Sequence, residues 1–320
     1  MKRALVQLLM VSMLVVPSQS RCADAGKPSA AAPSKPAAGL AFVAGGGGEF
    51  LFDTGVLRGK LRPEGRSRGL ASVVHVPTGA TVDRGYGLLG FYRVFTTGTR
   101  YGPGAWDWPS TAELLADGGV LVRWPPAGNR GFELAATYRW RAPDVIEVEA
   151  QVKARQELRQ FEVFLASYFD PAFTNSLAYV KANPAGGGKP GFLAASASYG
   201  QWLMYPRDQG AVALITDGRW KLEPNPVNWT LLPALAAPLG LRRASQSGLA
   251  AVLMAPATDC FAIATPHETE GHYSMYLSLF GRDIKAAETA KARARLWIAA
   301  KPTDQQILEA YAASSQPLRK

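Results

Sequence analysis

The stretch FELAATYRWRAPDVIEVEAQVKA, residues 132–154, decides the fold. In its second half Ile146, Val148, Ala150 and Val152 alternate with Glu147, Glu149, Gln151 and Lys153. That period of two puts one set of side chains on each face of a strand. Between the apolar runs 132–140 and 145–154 lie four residues that include Pro143 and Asp144, which reads as a hairpin.

The same pattern extends outward in both directions. Downstream come FEVFLASYF (161–169), LAYVKA (177–182), AVALITD (211–217), LAAVLMA (249–255), CFAIAT (260–265), YSMYLSLF (273–280) and ARARLWIAA (292–300). Upstream come EFLFDTG, SVVHVP, GLLGFYRVFTT and GVLVRW. Gly, Pro, Asn and Asp punctuate the gaps. Strands at meander spacing, with no helix-period segment between them, predict an all-β fold: a large antiparallel β-sandwich (supersandwich) with one short C-terminal helix. That helix is expected over residues 303–314, where Thr303 and Gln306 make a capping box.

The N-terminus reads as a targeting segment. Lys2 and Arg3 precede an apolar run over residues 4–16 that ends at Pro17. The run is short for a membrane span and fits a secretory signal peptide, cleaved before Arg21 or before Gly26. Residues 26–40 are rich in Pro, Ala and Ser and form a flexible linker. Residues 41–320 are then one β-sandwich domain, secreted or periplasmic, with no transmembrane anchor. The oligomeric state is left open.

The chain holds 35 Lys and Arg against 25 Asp and Glu, a net charge of +10. The basic residues are spread among aromatics rather than blocked together, which argues against a nucleic-acid arm. A positive balance suits an acidic small ligand or glycan, and it equally suits plain solubility. There are two cysteines, Cys22 and Cys260. If Cys22 leaves with the leader, Cys260 is alone in an apolar strand, buried and inert. This count excludes a disulfide scaffold and a cysteine metal site.

Candidate ligand contacts cluster in FYRVFTTGTRYGPGAWDWP, residues 91–109. It brings Arg93, Arg100, Tyr101, Trp106, Asp107 and Trp108 into one strand and the loop behind it. Flat rings beside fixed charges suit a sugar, which offers C–H faces to rings and hydroxyls to ions. The theme recurs at Trp202, Arg207 and Asp208, and again at Trp220. Tyr168 and Asp170 add to it at a strand end. The alternative reading is that these rings are simply core.

Among titratable groups, His267 and His272 are spaced H-E-x-x-x-H, one residue too long for two ligands on one helix face. No metal and no cofactor is expected. His272 beside Glu268 or Glu270 offers acid/base work, or an exposed polar loop. His75 in SVVHVP faces away from the core if Val74 and Val76 face it. There is no G-x-S-x-G elbow, phosphate loop or dinucleotide fingerprint. Asn228-Trp229-Thr230 is a glycosylation sequon by pattern.

The closing segment HYSMYLSLFGRDIKAAETAKARARLWI, residues 272–298, resembles the last strands of galactose-mutarotase-like supersandwich proteins, here of an exported bacterial kind. A comparable turn precedes the last long strand in that group, with Pro-Gly where this chain has Ala286-Ala287. The resemblance implies a concave sugar-binding face, and the group includes aldose epimerases and domains of polysaccharide lyases. Its mutarotases use a central histidine as acid, an early Asn-Arg pair and a C-terminal glutamate. This chain has no histidine between His75 and His267, and Arg68-Gly69-Leu70 stands near the early pair.

Three functions follow. The first is carbohydrate binding or processing, with Trp106, Trp108, Trp202 and Trp220 on sugar rings and Arg93, Arg100, Arg207, Asp107 and Asp208 on polar groups. The second is β-elimination on an acidic glycan, with Arg100 and Tyr101, or His272 and Tyr273, supplying cation and base; Glu268 and His75 are further catalytic candidates. The third is a structural or cell-envelope protein without a small ligand.

Overall fold

A computed structural model describes residues 40–315. The expected signal peptide, its cleavage points, the linker up to residue 39 and Cys22 lie outside the described residues. Within them three sheets form. The nine-stranded sheet runs, in spatial order, Gly191–Ala194, Asn175–Val180, Leu235–Arg243, Leu249–Met254, Thr289–Ala300, Val145–Ala154, Phe132–Ala142, Val120–Trp124 and Thr111–Leu114. The seven-stranded sheet runs Thr230–Leu231, Trp202–Pro206, Cys260–Pro266, Ser274–Ile284, Leu158–Tyr168, Gly90–Thr96 and Thr99–Arg100. A five-stranded sheet gathers the short strands from Val43–Ala44 to Ala80–Thr81. Pairing is antiparallel apart from Trp202–Pro206 with Thr230–Leu231.

The hairpin read from the sequence is present, with Phe132 opposite Ala154 and Trp140 opposite Ile146. Its alternation builds the sandwich. Val148 and Ala150, with Leu253 and Leu296, share one apolar cluster with Val163, Leu165, Leu277 and Leu279 of the seven-stranded sheet. Two sheets that each bury an apolar face against the other are the stable solution for such strands.

Each sheet is also covered over part of its outer face. Leu239, Leu241, Ala250 and Val252 of the nine-stranded sheet pack against Ile307 of the C-terminal helix, Asp304–Ser315. The expected capping box holds its start. The Thr303 N–H donates to Gln306 Oε1 at 2.9 Å, and the Gln306 N–H donates to Thr303 Oγ1 at 3.2 Å. The outer face of the seven-stranded sheet carries Phe95, Phe164, Ala166, Tyr168, Met204, Phe261 and Tyr276, in a second cluster.

Two readings are corrected here. AVALITD is not a strand: Gln209–Thr216 is an α-helix. Its first five residues are all apolar and carry no alternation. Asp208, in extended conformation, accepts from the Ala211 N–H at 2.9 Å and starts the helix. Ala211, Leu214 and Ile215, at helical spacing, are its buried face. His75 also faces the other way. Leu70, Val73 and His75 are the buried residues of Leu70–His75, and His75 is 4% exposed with Nδ1 2.8 Å from Thr78 Oγ1. A left-handed Ser72 (φ 53°) breaks the strand's alternation just before it. The strand Leu235–Arg243 was hidden from the sequence by Pro238, which lies where pairing with Asn175–Val180 shifts register.

Among the described residues no helix is long and apolar enough to cross a membrane. Cys260 is fully buried, and burial pushes its thiol up to about 12. The folded protein should therefore leave Cys260 unmodified by iodoacetamide at neutral pH, and guanidinium unfolding should expose it; peptide mapping after alkylation checks this.

Candidate functional site

The outer face of the seven-stranded sheet holds a cavity of about 420 Å³. Its floor comes from alternation in two central strands. In Leu158–Tyr168, Val163 and Leu165 turn to the main core, and Phe164, Ala166 and Tyr168 turn to the cavity side. In Ser274–Ile284, Met275 and Leu277 face the core and Tyr276 faces the cavity side. Phe164 and Tyr276 stack at 4.5 Å between centroids.

The neighbouring strand, Gly90–Thr96, departs from alternation. Val94 pairs with Val163 and Phe91 with Leu165, so Tyr92 and Arg93 together stand opposite Phe164. This β-bulge carries one extra residue, and both side chains line the cavity. Phe91 and Val94 on either side remain in the core.

The walls come from loops. Trp106, in the turn Ala105–Asp107, lies between two parallel rings: Tyr92 at 4.3 Å and Tyr86 at 5.1 Å. Gly104 permits this stack, because a Cβ there would lie 2.8 Å from Trp106 Nε1 and 3.1 Å from the Tyr92 ring. Trp106 is 6% exposed and stacked on both tyrosines, so it walls the site. Opposite stand Trp202, Trp220 and Trp229. Trp229 is perpendicular to Trp202 at 6.0 Å and to Trp220 at 5.2 Å. Trp220 is 2% exposed, whereas Trp202 and Trp229 are half-buried and have no parallel partner among the described residues.

Buried polar groups fix these walls. Arg219, beside Trp220, donates to both Asp217 oxygens, to Glu162 Oε2 at 2.9 Å and to the Gln160 carbonyl at 3.1 Å. Removing one partner of such a buried pair costs about 3–5 kcal/mol. Arg100 donates to the carbonyls of Leu222 (3.2 Å) and Pro224, and so ties the strand end Thr99–Arg100 to the segment that carries Trp229. Burial, then the nearby Arg93 charge, bring the Arg100 pKa down to about 10.

The rim carries His272. Glu270 accepts from the His272 backbone N–H and lies 2.9 Å from its Nδ1 with both oxygens. With Nδ1 protonated toward the carboxylate, Nε2 is left free to take a proton. His272 also contacts the Trp202 ring edge-on at 5.2 Å. Its loop is held by Arg84, which donates to the Gly271 carbonyl, and by buried Arg242, which donates to the carbonyls of Phe173, Thr174, Glu268 and Ser274. On the floor, Ser274 Oγ donates to the Tyr276 hydroxyl at 2.7 Å and Tyr276 to Tyr168 at 3.3 Å. Burial pushes Tyr276 up to about 12 and Tyr168 well above the usual phenol range. Both are neutral hydrogen-bonding groups at pH 7.

Of the candidates read from the sequence, the fold brings Arg93, Trp106, Tyr168, Trp202, Trp220 and His272 to this cavity. It places the others elsewhere. Tyr101 is buried, its hydroxyl on Thr96 Oγ1 at 3.0 Å. Asp107 accepts from Trp106 Nε1. Trp108 lies under the Arg130 guanidinium at 3.8 Å. Asp170 accepts from the Ala172 N–H in its own turn. Arg207 pairs with Asp208, which caps the helix Gln209–Thr216. Glu268 places its backbone N–H on the Ala195 carbonyl and is not the His272 partner. His75 belongs to the five-stranded sheet.

The sequence candidates did not include Tyr86, Phe164, Trp229 or Tyr276. Trp229 carried a signal, a large ring in the Pro/Asn-rich loop EPNPVNWT. Among the described residues no three His, Cys, Asp or Glu side chains gather as metal ligands would.

No family model matches the chain, and no curated protein matches it. Solved structures similar to it include the Slr1438 protein from Synechocystis sp. PCC 6803, at 11% identity and a TM-score of 0.46, over 78% of this chain and 94% of that one. Another is the α-N-acetylgalactosaminidase NagBb from Bifidobacterium bifidum with GalNAc, at 13% identity and 0.45, over 84% and 38%. A third is the GH36 α-galactosidase AgaA from Geobacillus stearothermophilus, at 10% and 0.35, over 68% and 32%. The chain spans less than two fifths of either glycosidase. None of the three carries the name of the galactose-mutarotase-like group, and likenesses this distant assign no activity.

The geometry separates wall from cap. Trp106→Ala should destabilise the fold by about 3–5 kcal/mol, as loss of a large buried ring does. Asp208→Ala should cost about 1 kcal/mol, the worth of a helix cap. Urea unfolding of the two variants checks the contrast.

Proposed function

We propose that the cavity binds a saccharide. One observation carries this reading: Trp202 and Trp229 meet at a right angle on one wall, half-buried and without a stacked partner. Such rings gain by covering the apolar C–H face of a sugar. The hydroxyls of Tyr168 and Tyr276 lie around the same space as neutral donors and acceptors. With the leader read from the N-terminus, the protein meets this ligand outside the cytoplasm.

Trp202→Ala and Trp229→Ala should each weaken saccharide binding about tenfold, the equivalent of about 1.4 kcal/mol. Both should melt within a few degrees of the wild type. Calorimetric titration with a panel of neutral and uronic oligosaccharides measures this. Unchanged affinity in both variants would remove the tryptophan corner from the site.

A second reading rests on the Glu270–His272 pair at the rim. A histidine held through Nδ1 by a carboxylate is arranged as a base through Nε2. It suits β-elimination on an acidic glycan: the proton next to the carboxylate passes to His272, the β C–O bond breaks, and the leaving oxygen takes up a proton. His272→Gln should then abolish the ultraviolet absorbance of the unsaturated product while leaving binding within about twofold. Absence of that product from wild-type protein across the uronate panel would leave a binding protein only.

A further inference from the structure

Arg93 is 4% exposed, and it lines the cavity from the bulge opposite Phe164. Its one hydrogen bond runs from Nη2 to the Tyr92 hydroxyl at 3.4 Å, near the limit of such a bond. Nε and Nη1 have no hydrogen-bond partner among the described residues. The guanidinium lies 5.0 Å from the Tyr92 ring centroid and 5.4 Å from that of Trp220. Among the described residues no carboxylate pairs with it, and the cavity lining contains no Asp or Glu.

Four other arginines are buried among the described residues: Arg62, which donates to the Gly65 carbonyl, Arg130, which lies on Trp108 and donates to the Ala127 carbonyl, Arg219 and Arg242. Arg219 is met by two carboxylates and a carbonyl, and Arg242 by four carbonyls. Arg93 alone of these lines the cavity and has neither a carboxylate nor a carbonyl as side-chain partner among the described residues. A second cation is close by, because the Arg93 charge, after burial, helps to hold the Arg100 pKa down. The Nε1 atoms of Trp220 and Trp229, both on the lining, are further donors without a partner. A buried cation with unused donors is an expensive arrangement unless a ligand completes it.

We propose that the saccharide carries an acidic group, a carboxylate or a sulfate ester, that docks against Arg93 while its ring rests on Trp202 and Trp229. This rests on the saccharide reading and narrows it to acidic glycans. Arginine suits this task because its charge persists at every physiological pH and its donors are fixed in a plane.

The test compares full-length wild-type protein with Arg93→Met and Arg93→Lys. The probes are oligogalacturonate, oligoalginate and a hyaluronan tetrasaccharide, each beside its carboxyl-reduced form, and a sulfated carrageenan oligomer beside its desulfated form. Wild-type protein should bind at least one acidic form about tenfold or more above its neutral counterpart. Arg93→Met should bring that acidic form down to the neutral affinity, leave the neutral affinity within about twofold, and melt no lower than wild type without ligand. Arg93→Lys should keep part of the preference. The uronate and carrageenan arms tell which anion is bound.

Equal binding of acidic and neutral forms by the wild type would overturn this proposal and leave the saccharide reading standing. Binding of neither form would overturn both. A fall of several degrees in the melting temperature of Arg93→Met, with equal loss of acidic and neutral binding, would make Arg93 structural and also overturn it.

Discussion

The burial of one sheet on both faces governs this molecule. The strand Leu158–Tyr168 has Val163 and Leu165 packed into the sandwich core and Phe164 and Tyr168 packed under the loops. A strand covered on both sides cannot slip by one residue without exchanging two chemically different faces. That constraint makes the floor of the cavity rigid. The loops above it then need only contribute rings and ions at fixed anchor points, as Arg219 does for Trp220 and Arg100 does for the segment leading to Trp229.

The charge pattern follows from the same layering. A buried position, between the sheets or under a loop, tolerates an ion only if its donors are met. Arg219 and Arg242 meet that condition with protein groups. Arg93 is brought to the cavity by an extra residue in its strand rather than by regular alternation, and it is left with donors in hand. Where local order is broken and a polar group stays unsatisfied, function is the natural account.

Much of the sheet architecture was legible in the sequence because alternation and turn residues are local signals. Residues 132–154 needed no tertiary information to read as a hairpin. What failed was decided by context. AVALITD is apolar at five successive positions, so its period could not be read, and the cap at Asp208 settled it. SVVHVP has two adjacent valines, so its pattern did not say which one faces inward, and burial of Val73 takes His75 in with it. The site was legible as a composition of rings and arginines over residues 91–109, yet that stretch is divided between the cavity (Arg93, Trp106), the core (Tyr101) and the opposite side of the loop (Trp108). Trp229 and Tyr86 belong to distant loops that only the fold brings beside Trp202 and Trp106.

Arg242 has a consequence for how the molecule moves. It is rooted in the nine-stranded sheet, and its donors reach both the Ser274 carbonyl at the start of a seven-stranded-sheet strand and the Glu268 carbonyl in the loop that bears His272. Ser176 and Thr265 bridge the same two sheets beside it at 2.8 Å. Any shear of one sheet over the other therefore pulls on the rim of the cavity. The imidazole's position is a gauge of sandwich alignment, and a change that relaxes inter-sheet packing far from the cavity is transmitted mechanically to its mouth.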